Sequence, residues 1–480
     1  MALRRDSSLP QDRQCSRDNL LAYTALREHD IYELQMALSE HGLSSLGRLE
    51  GHVLYTIRQV LARLDGPAPP HELYEPTPAE ATELLASRTA RLLGEPRSGR
   101  PTRIMVTLDP NMADNPGLFE SLLEGGMDLV RINMAQGDEE GWKGLISAIR
   151  AAEDRLITEG KYRGERCRIS MDLPGPKLRT GALPAWAEQP ETAIRVGQGD
   201  RLLLYRDPEV IGHGPGEDHP PGIACAAPGA LENVEVGHRV FFNDGKIHAR
   251  VEESTPEALE LKVIHPGDRT ARLRGGKGLN FPDSSLELAA LSAHDRAVLP
   301  FAIEHADAAA LSFVYDADDI TELGRLAREH GKPDFPLIAK VETRESVTNL
   351  ARILLAGLHL PSFGVMIARG DLAVDVGFEQ MARIQEDILC LCEAAHTPAI
   401  WATQVLDTMA KSGLPARAEI TDAAMGQRAE CVMLNKGRHL DEAVGILDTL
   451  LRAQARQRIK KREIFREFTP QDGVFPVTPP

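Results

Sequence analysis

From Thr102 onward the chain repeats one pattern: a short apolar run, then a longer stretch with apolar residues at helical spacing. The runs read TRIMVTLDP, MDLVRINMAQ, CRISMDLPGP, AAALSFV, PLIAKVE, FGVMIARGD, PAIWATQ and ECVMLNK. Segments such as NPGLFESLLEGG and EEGWKGLISAIRAAEDRL separate most of them. Short apolar runs of this kind read as buried strands, and the spaced stretches as helices. Strands alternating with helices predict an α/β protein with a parallel sheet, doubly wound or closed. No GxGxxG follows the first run, which removes the main sign of a dinucleotide fold. The count of eight favours a (β/α)8 TIM barrel.

Two stretches depart from the alternation. Residues 1–95 carry apolar positions at helical spacing, broken at Gly42 and Gly47, and end in a Pro-rich linker and one more helix. They predict an N-terminal helical module without chemistry, serving packing or oligomerisation. The barrel then begins with residues 96–181. Residues 182–278 are β-rich, with RLLLY, HRVFFNDGKIHARVEE and LELKVIH separated by turn signals. They read as a lid domain inserted after the third barrel strand, since barrel loops tolerate such insertions. Residues 279–456 complete the barrel. Residues 457–480 form a tail that opens on a basic helix tip, Arg456 to Arg466.

Composition narrows the function. The chain has 480 residues, 42% hydrophobic but only 5% aromatic, so its core is built from Ala, Leu, Val and Ile. A formal net charge of -16 disfavours a general nucleic-acid binder. An acidic protein that binds a phosphorylated substrate must gather its cations locally. Six scattered cysteines without a CxxC pair read as reduced thiols. No signal-like or membrane-spanning apolar stretch occurs, which predicts a cytoplasmic protein without a membrane partner.

In a barrel the strand C-termini point into the active site. Here they carry Thr107 and Asp109, Arg131 and Asn133, Asp172, Lys177 and Arg179, Ser312, Lys340 and Glu342, Arg369 and Asp371, and Thr403 and Gln404. Charge at the end of an apolar strand needs a reason, because burying it unpaired is expensive. Lys340 and Glu342 are two apart on one strand and face one side. Asp371 follows the next strand. Two carboxylates on neighbouring strands suit Mg²⁺, which keeps positions for substrate oxygens and water. The plainer reading is a set of interior ion pairs, Lys340 with Glu342 or Arg369 with Asp371.

The segments RINMAQG, MDLPGPKLRTG, GGKGLNFPD, SFV, AKVE, VMIARGDLAVDV and ATQVLDTM occur in this order, followed by Pro415, Arg417, Ala418, Glu419 and Asp422. From about Thr102 to Ala453 the chain resembles the pyruvate kinase family, without that family's usual C-terminal domain. The resemblance implies transfer of the phosphoryl group of phosphoenolpyruvate to ADP, giving pyruvate and ATP, with Mg²⁺ or Mn²⁺. It implies that Lys340 stabilises the phosphoryl group in flight and that Glu342 and Asp371 hold the metal. Arg131 and Lys277 would bind phosphate oxygens. Thr403 and the amides around Gly370 and Asp371 would take the carboxylate, and Ser312 and Phe313 would line the floor. Pro110, Asn133 and Arg179 would serve the nucleotide, and Thr403 with water would protonate the enolate. Arg417 matches the family's cross-subunit arginine, which implies a homodimer or higher homo-oligomer through barrel surfaces. No response to an effector held in a C-terminal domain is implied.

The departures are as specific as the matches. The family's Ser and His after Asn133 are Ala135 and Gln136. Its Thr-Lys after Asp172 is Leu173-Pro174, and its Glu is Lys177. Asp109 replaces a Gly, Tyr315 an Arg, and LNKG, with Asn435 and Lys436, replaces Leu-Ser-Gly-Glu-Thr. Ala135 and Lys177 remove a hydroxyl and a carboxylate from the family's monovalent-cation site, so no K⁺ requirement is expected and the ammonium of Lys177 substitutes for the ion. Two rival readings use the same residues: a Mg²⁺-dependent aldolase or lyase acting on enolates, and a non-catalytic regulatory relative.

Overall fold

The computed structural model describes residues 9–66, 73–162, 165–184, 193–216, 219–243, 245–267, 269–284, 286, 289, 291–460 and 462–463. In chain order, α1 (Gln11–Arg27), α2 (Tyr32–Glu40), α3 (Val53–Leu64) and α4 (Pro78–Leu93) precede β1 (Arg103–Leu108). Then come α5 (Pro116–Gly125), β2 (Leu129–Asn133), α6 (Glu139–Thr158) and β3 (Arg168–Asp172). The insertion holds β4 (Ile194–Val196), β5 (Arg201–Tyr205), β6 (Gly222–Ala224), β7 (Arg239–Phe242), β8 (Ile247–Ser254), β9 (Ala258–His265), β10 (Ala271–Leu273) and β11 (Leu279–Asn280). The alternation resumes with α7 (Ala293–His305), β12 (Ala308–Leu311), α8 (Ala317–Glu329) and β13 (Leu337–Val341). It continues through α9 (Arg344–Thr348), α10 (Leu350–Gly357), β14 (Phe363–Ala368), α11 (Arg369–Val376), α12 (Met381–Ala394) and β15 (Ala399–Ala402). It ends with α13 (Asp407–Ser412), α14 (Arg417–Gly426), β16 (Cys431–Leu434) and α15 (Leu440–Gln457).

The eight apolar runs are the eight strands of a closed barrel, in the order β1-β16-β15-β14-β13-β12-β3-β2. The fold is the α/β barrel that the alternation predicts. Strands β1, β12, β13, β14, β15 and β16 are buried along their whole length. That is why they read as continuous apolar runs: covered on both faces, they have no reason to alternate. Local chemistry starts the helices where the strands stop. Asn115, Asp138, Ser292, Asp316 and Thr343 each cap a helix through a side-chain oxygen.

By compactness the chain divides into two units. One comprises residues 1–132, 138–169 and 392–480, and the other residues 133–137 and 170–391. The second contains the insertion, a six-stranded sheet in the order β11-β7-β8-β9-β5-β6 with β4 and β10 paired beside it. Here alternation is clear. Ile247, Ala249 and Val251 of β8 are buried, while Arg250 and Glu252 point outward. The buried set joins Leu202, Leu204, Val240, Phe242, Leu261 and Val263 in a core of its own. Strand β11 pairs with β7, so this sheet reaches Asn280, two residues past the boundary expected at residue 278.

At the C-terminus α15 runs to Gln457, so the expected basic helix tip is helical at Arg456 and Gln457, while residues 458–459 and 462–463 form a short antiparallel pair. The remainder of that expectation, residues 464–480, lies outside the described residues. All six cysteines are buried thiols, none in a disulfide. Among the described residues, no helix is long and apolar enough to cross a membrane.

The N-terminal helices are tied into the first unit by polar groups rather than by apolar contact alone. Asn19 of α1 donates to the carbonyls of Glu50 and Ala394, at 2.7 and 2.8 Å, and accepts from the amide of Val53 at 2.8 Å. Arg88 of α4 donates to the carbonyl of Ala395 at 3.0 Å. His396 lies between these helices, with Nδ1 2.8 Å from the Ser16 hydroxyl and Nε2 2.8 Å from the Gly51 carbonyl. A carbonyl can only accept, so Nε2 carries the proton and Nδ1 accepts from Ser16. Burial pushes the His396 imidazole down to about 4, and the nearby cations Arg88 and Lys460 and the ring of His52 act in the same direction.

A depressed histidine makes the sign definite. Its contribution to stability is fully present above about pH 6.5 and is lost as pH falls toward 4. The shift corresponds to roughly 3 kcal/mol. Wild type is expected to lose that much more stability than His396→Gln between pH 6.5 and pH 4, measured by denaturant unfolding at each pH. Parallel curves for the two proteins would remove His396 from the seat.

Candidate active site

The strand ends of the second unit converge on Lys340. It is the fourth residue of β13 and is only 7% exposed. Its ammonium donates to Ser312 Oγ at 2.7 Å and lies 3.2 Å from Asp172 Oδ2 and 3.1 Å from Glu342 Oε1. Asp172 ends β3 and is fully buried, and Glu342 follows β13. The neighbouring strands bring these groups together: Asp172 stands opposite Ala310 of β12, and Leu311 opposite Ala339 of β13.

Two of these partners are themselves held. Ser312 donates to the Leu173 carbonyl at 2.7 Å, so its lone pairs face Lys340. Glu342 Oε2 accepts the amide of Phe313 at 2.7 Å. Burial raises the Glu342 carboxyl above its ordinary range; Lys340 opposes this and the charge of Asp371 adds to it. The loop after Asp172 crosses directly over Ser312. A Cβ on Gly175 would lie 2.7 Å from the Ser312 Cβ and 2.9 Å from its carbonyl oxygen, and φ there is +72°. Only glycine fits such a crossing.

Asp371 opens α11, which follows β14 without a linker. Its Oδ1 lies 2.6 Å from the ammonium of Lys177, which also stands 5.9 Å from the centre of the Phe313 ring. Lys177, expected to substitute for a monovalent cation, thus has the carboxylate of Asp371 as an ionic partner. Asn133 accepts the amide of Ala135 at 3.2 Å. Arg179 and Lys277 do not join the Lys340 cluster. They meet at the base of the lid, where Arg179 donates to the Gly276 carbonyl at 3.2 Å and the Lys277 amide donates to Thr180 Oγ1 at 2.9 Å.

The first unit holds β1, β15, β16 and β2 up to Ile132. Arg131 donates to Thr107 Oγ1 at 3.3 Å. Thr403 and Gln404 follow β15 with φ of +64° and +56°, and Phe313 in the second unit has +54°. Left-handed backbone at non-glycine residues costs energy and clusters where function demands it. Pro110 follows Asp109, whose Oδ2 lies 2.6 Å from the ammonium of Lys436. That hydrogen bond is the largest influence holding the Asp109 carboxyl below its usual range.

The donor set fits a divalent cation. Glu342 and Asp371 are two carboxylates, the charge of Asp371 adding to the effect of burial on Glu342, and a carboxylate oxygen keeps a lone pair beyond one bond. Two protein oxygens with room for substrate and water are what Mg²⁺ prefers. Among the described residues, no group of three or more His, Cys, Asp and Glu side chains is placed to hold a metal.

Two features escaped the sequence reading. Asp172 was read among the strand ends but not as the partner of Lys340. The signal was its place one strand over, visible only once the insertion between β3 and β12 is set aside. The second is that Asp109 and Lys436 answer one another. Both depart from the family pattern at positions 327 residues apart, on adjacent strands.

A family model described as pyruvate kinase, barrel domain, matches residues 99–441. The chain is 32% identical over 328 residues to a pyruvate kinase of Bacillus licheniformis, covering 68% of this chain and 51% of that one. It is 30% identical over 382 residues to a pyruvate kinase of Rattus norvegicus, covering 78% and 63%. A pyruvate kinase of Thermotoga maritima is 29% identical over 374 residues, covering 76% and 73%. The chain thus spans about half to two thirds of the length of the first two relatives.

The Asp109–Lys436 pair gives a direct measurement. In Lys436→Met the Asp109 carboxyl is expected to rise toward the ordinary carboxylate value, followed by carbon NMR. Because Lys436 is 46% exposed, the loss of stability should stay under about 1 kcal/mol. An unmoved Asp109 would show that the pairing does not persist in solution.

Proposed function

The chain belongs to the pyruvate kinase family, and on that premise we propose that it transfers the phosphoryl group of phosphoenolpyruvate to ADP. One observation carries the reading: a buried lysine held by Ser312 and Asp172 beside the carboxylate of Glu342. Phosphoryl transfer needs positioning and charge neutralisation more than covalent help. A preorganised ammonium that cannot swing away supplies this without reorganising during the reaction.

The other residues divide the work. Glu342 and Asp371 hold Mg²⁺ or Mn²⁺, which supplies Lewis-acid charge at the phosphoryl oxygens. Arg131 and Lys277 bind phosphate oxygens. The amides of Gly370 and Asp371 open a helix and take the carboxylate with Thr403, as a helix N-terminus suits an anion. Ser312 and Phe313 form the floor. Pro110, Asn133 and Arg179 serve the nucleotide, and Thr403 with water protonates the enolate. Lys340→Met removes one fixed charge at the transferring group. It is expected to fold and to lose on the order of 3 kcal/mol of barrier lowering, about a hundredfold in turnover. Turnover of phosphoenolpyruvate and ADP within a factor of about two of wild type would exclude Lys340 from the mechanism.

We propose further that the reaction does not require K⁺. Lys177 stands where the family carries a glutamate, a change of two charge units, and its ammonium is 2.6 Å from Asp371. A second cation nearby meets strong repulsion where water is excluded. Turnover in tetramethylammonium buffer is expected to match that in K⁺ buffer at equal ionic strength. A rise of roughly tenfold on adding K⁺ contradicts this. The double change Lys177→Glu with Ala135→Ser is expected to create K⁺ dependence.

A further inference from the structure

The inserted sheet carries a row of cations on its outer face. Arg239 of β7 stands opposite Arg250 of β8, Arg250 opposite Lys262 of β9, and Lys262 opposite Arg201 of β5. Like charges placed directly opposite repel, and in a chain of net charge -16 such a row needs a cause. Three members have carboxylate partners. Arg239 holds Asp283 through two bonds of 2.9 and 2.6 Å, Lys262 lies 3.3 Å from Glu252, and Arg201 pairs with Glu260. Arg250 has none among the described residues.

Arg250 also edges a cavity of about 280 Å³ within the second unit. One wall is the outer face of the sheet, with Phe241, His248 and Ile264. The other is α11 and the turn after it, with Val374 and Phe378. Phe378 is 67% exposed and Ile264 42%, so apolar surface lies open beside an unanswered guanidinium. The walls are close: a Cβ on Gly245, in the β7–β8 turn, would lie 3.4 Å from Val374 Cγ2. Helix α11 is the element that carries Gly370 and Asp371 in its first turn.

We propose that this cavity is a regulatory site for a small organic anion with an apolar body, an aryl or branched carboxylate, sulfonate or phosphate monoester. The anion takes Arg250, and the body lies between Phe241 and Ile264 on one side and Val374 and Phe378 on the other. Occupancy fixes the inserted sheet against α11 and so steadies the helix that presents Asp371. The link from α11 to turnover rests on the function proposed above; binding does not.

The probe is 8-anilinonaphthalene-1-sulfonate, an aryl anion whose fluorescence rises in apolar surroundings. Two exposed positions outside the catalytic set are changed, Arg250→Ala and Ile264→Asp. Wild type is expected to bind the probe saturably at one site. Each variant should bind at least roughly tenfold more weakly, as follows when one charged hydrogen bond is lost or a like charge is added. Hydrogen exchange over residues 369–376 should slow when wild type is saturated, and not in either variant. Unsaturable binding, or equal affinity in all three proteins, overturns the site. Site-dependent binding without slower exchange overturns the coupling to α11. An inactive protein that still shows both effects defeats the proposed reaction and leaves this site standing.

Discussion

An ammonium group buried beside two carboxylates sets the terms for the rest of the site. Removing three charges from water is costly, and the attraction among them repays that cost only if geometry and hydrogen bonding are complete. Lys340 satisfies its donors with Ser312, Asp172 and Glu342. Ser312 is then oriented by the Leu173 carbonyl, and Glu342 by the Phe313 amide. The left-handed backbone of Phe313 and the glycine at position 175 belong to the same arrangement. Each lets the main chain come close enough to complete a bond that the buried charges require.

The fold was legible because its strands are short and fully buried, and because helix caps punctuate them. All eight runs became strands, each starting within two residues of the start of its run and ending one to four residues before the run does. The inserted sheet was readable in outline from β5, β7, β8 and β9. Its three-residue strands β4, β6 and β10 were not, since so few residues carry no period. The same limit hid β11.

The candidate site was legible as a list, and of its pairs the local one, Lys340 with Glu342, was expected and is present. Charged strand ends identify Lys340, Glu342, Asp371 and Arg131, because apolar strands have no other reason to end that way. Which acid answers which base depends on strand neighbours. Lys177 shows the limit. Nothing local to its loop indicates that it reaches Asp371, 194 residues away. Asp109 and Lys436 pair for the same reason, being distant in sequence and adjacent around the barrel. Two residues that look unrelated along the chain form one ion pair in space.

The seat of the N-terminal helices has a consequence in time. Ser16 bonds to His396, 380 residues later, and Asn19 to Ala394. Chains grow at about 5–20 residues per second. The first helix therefore leaves the ribosome on the order of 20 seconds or more before its seat has been made. During that interval α1 has its neighbours at residues 50–64, but not the residues around His396 that complete its seat. The bonds from Ser16 to His396 and from Asn19 to Ala394 thus serve as a completion mark: they close only on a chain whose seventh barrel strand is about to form.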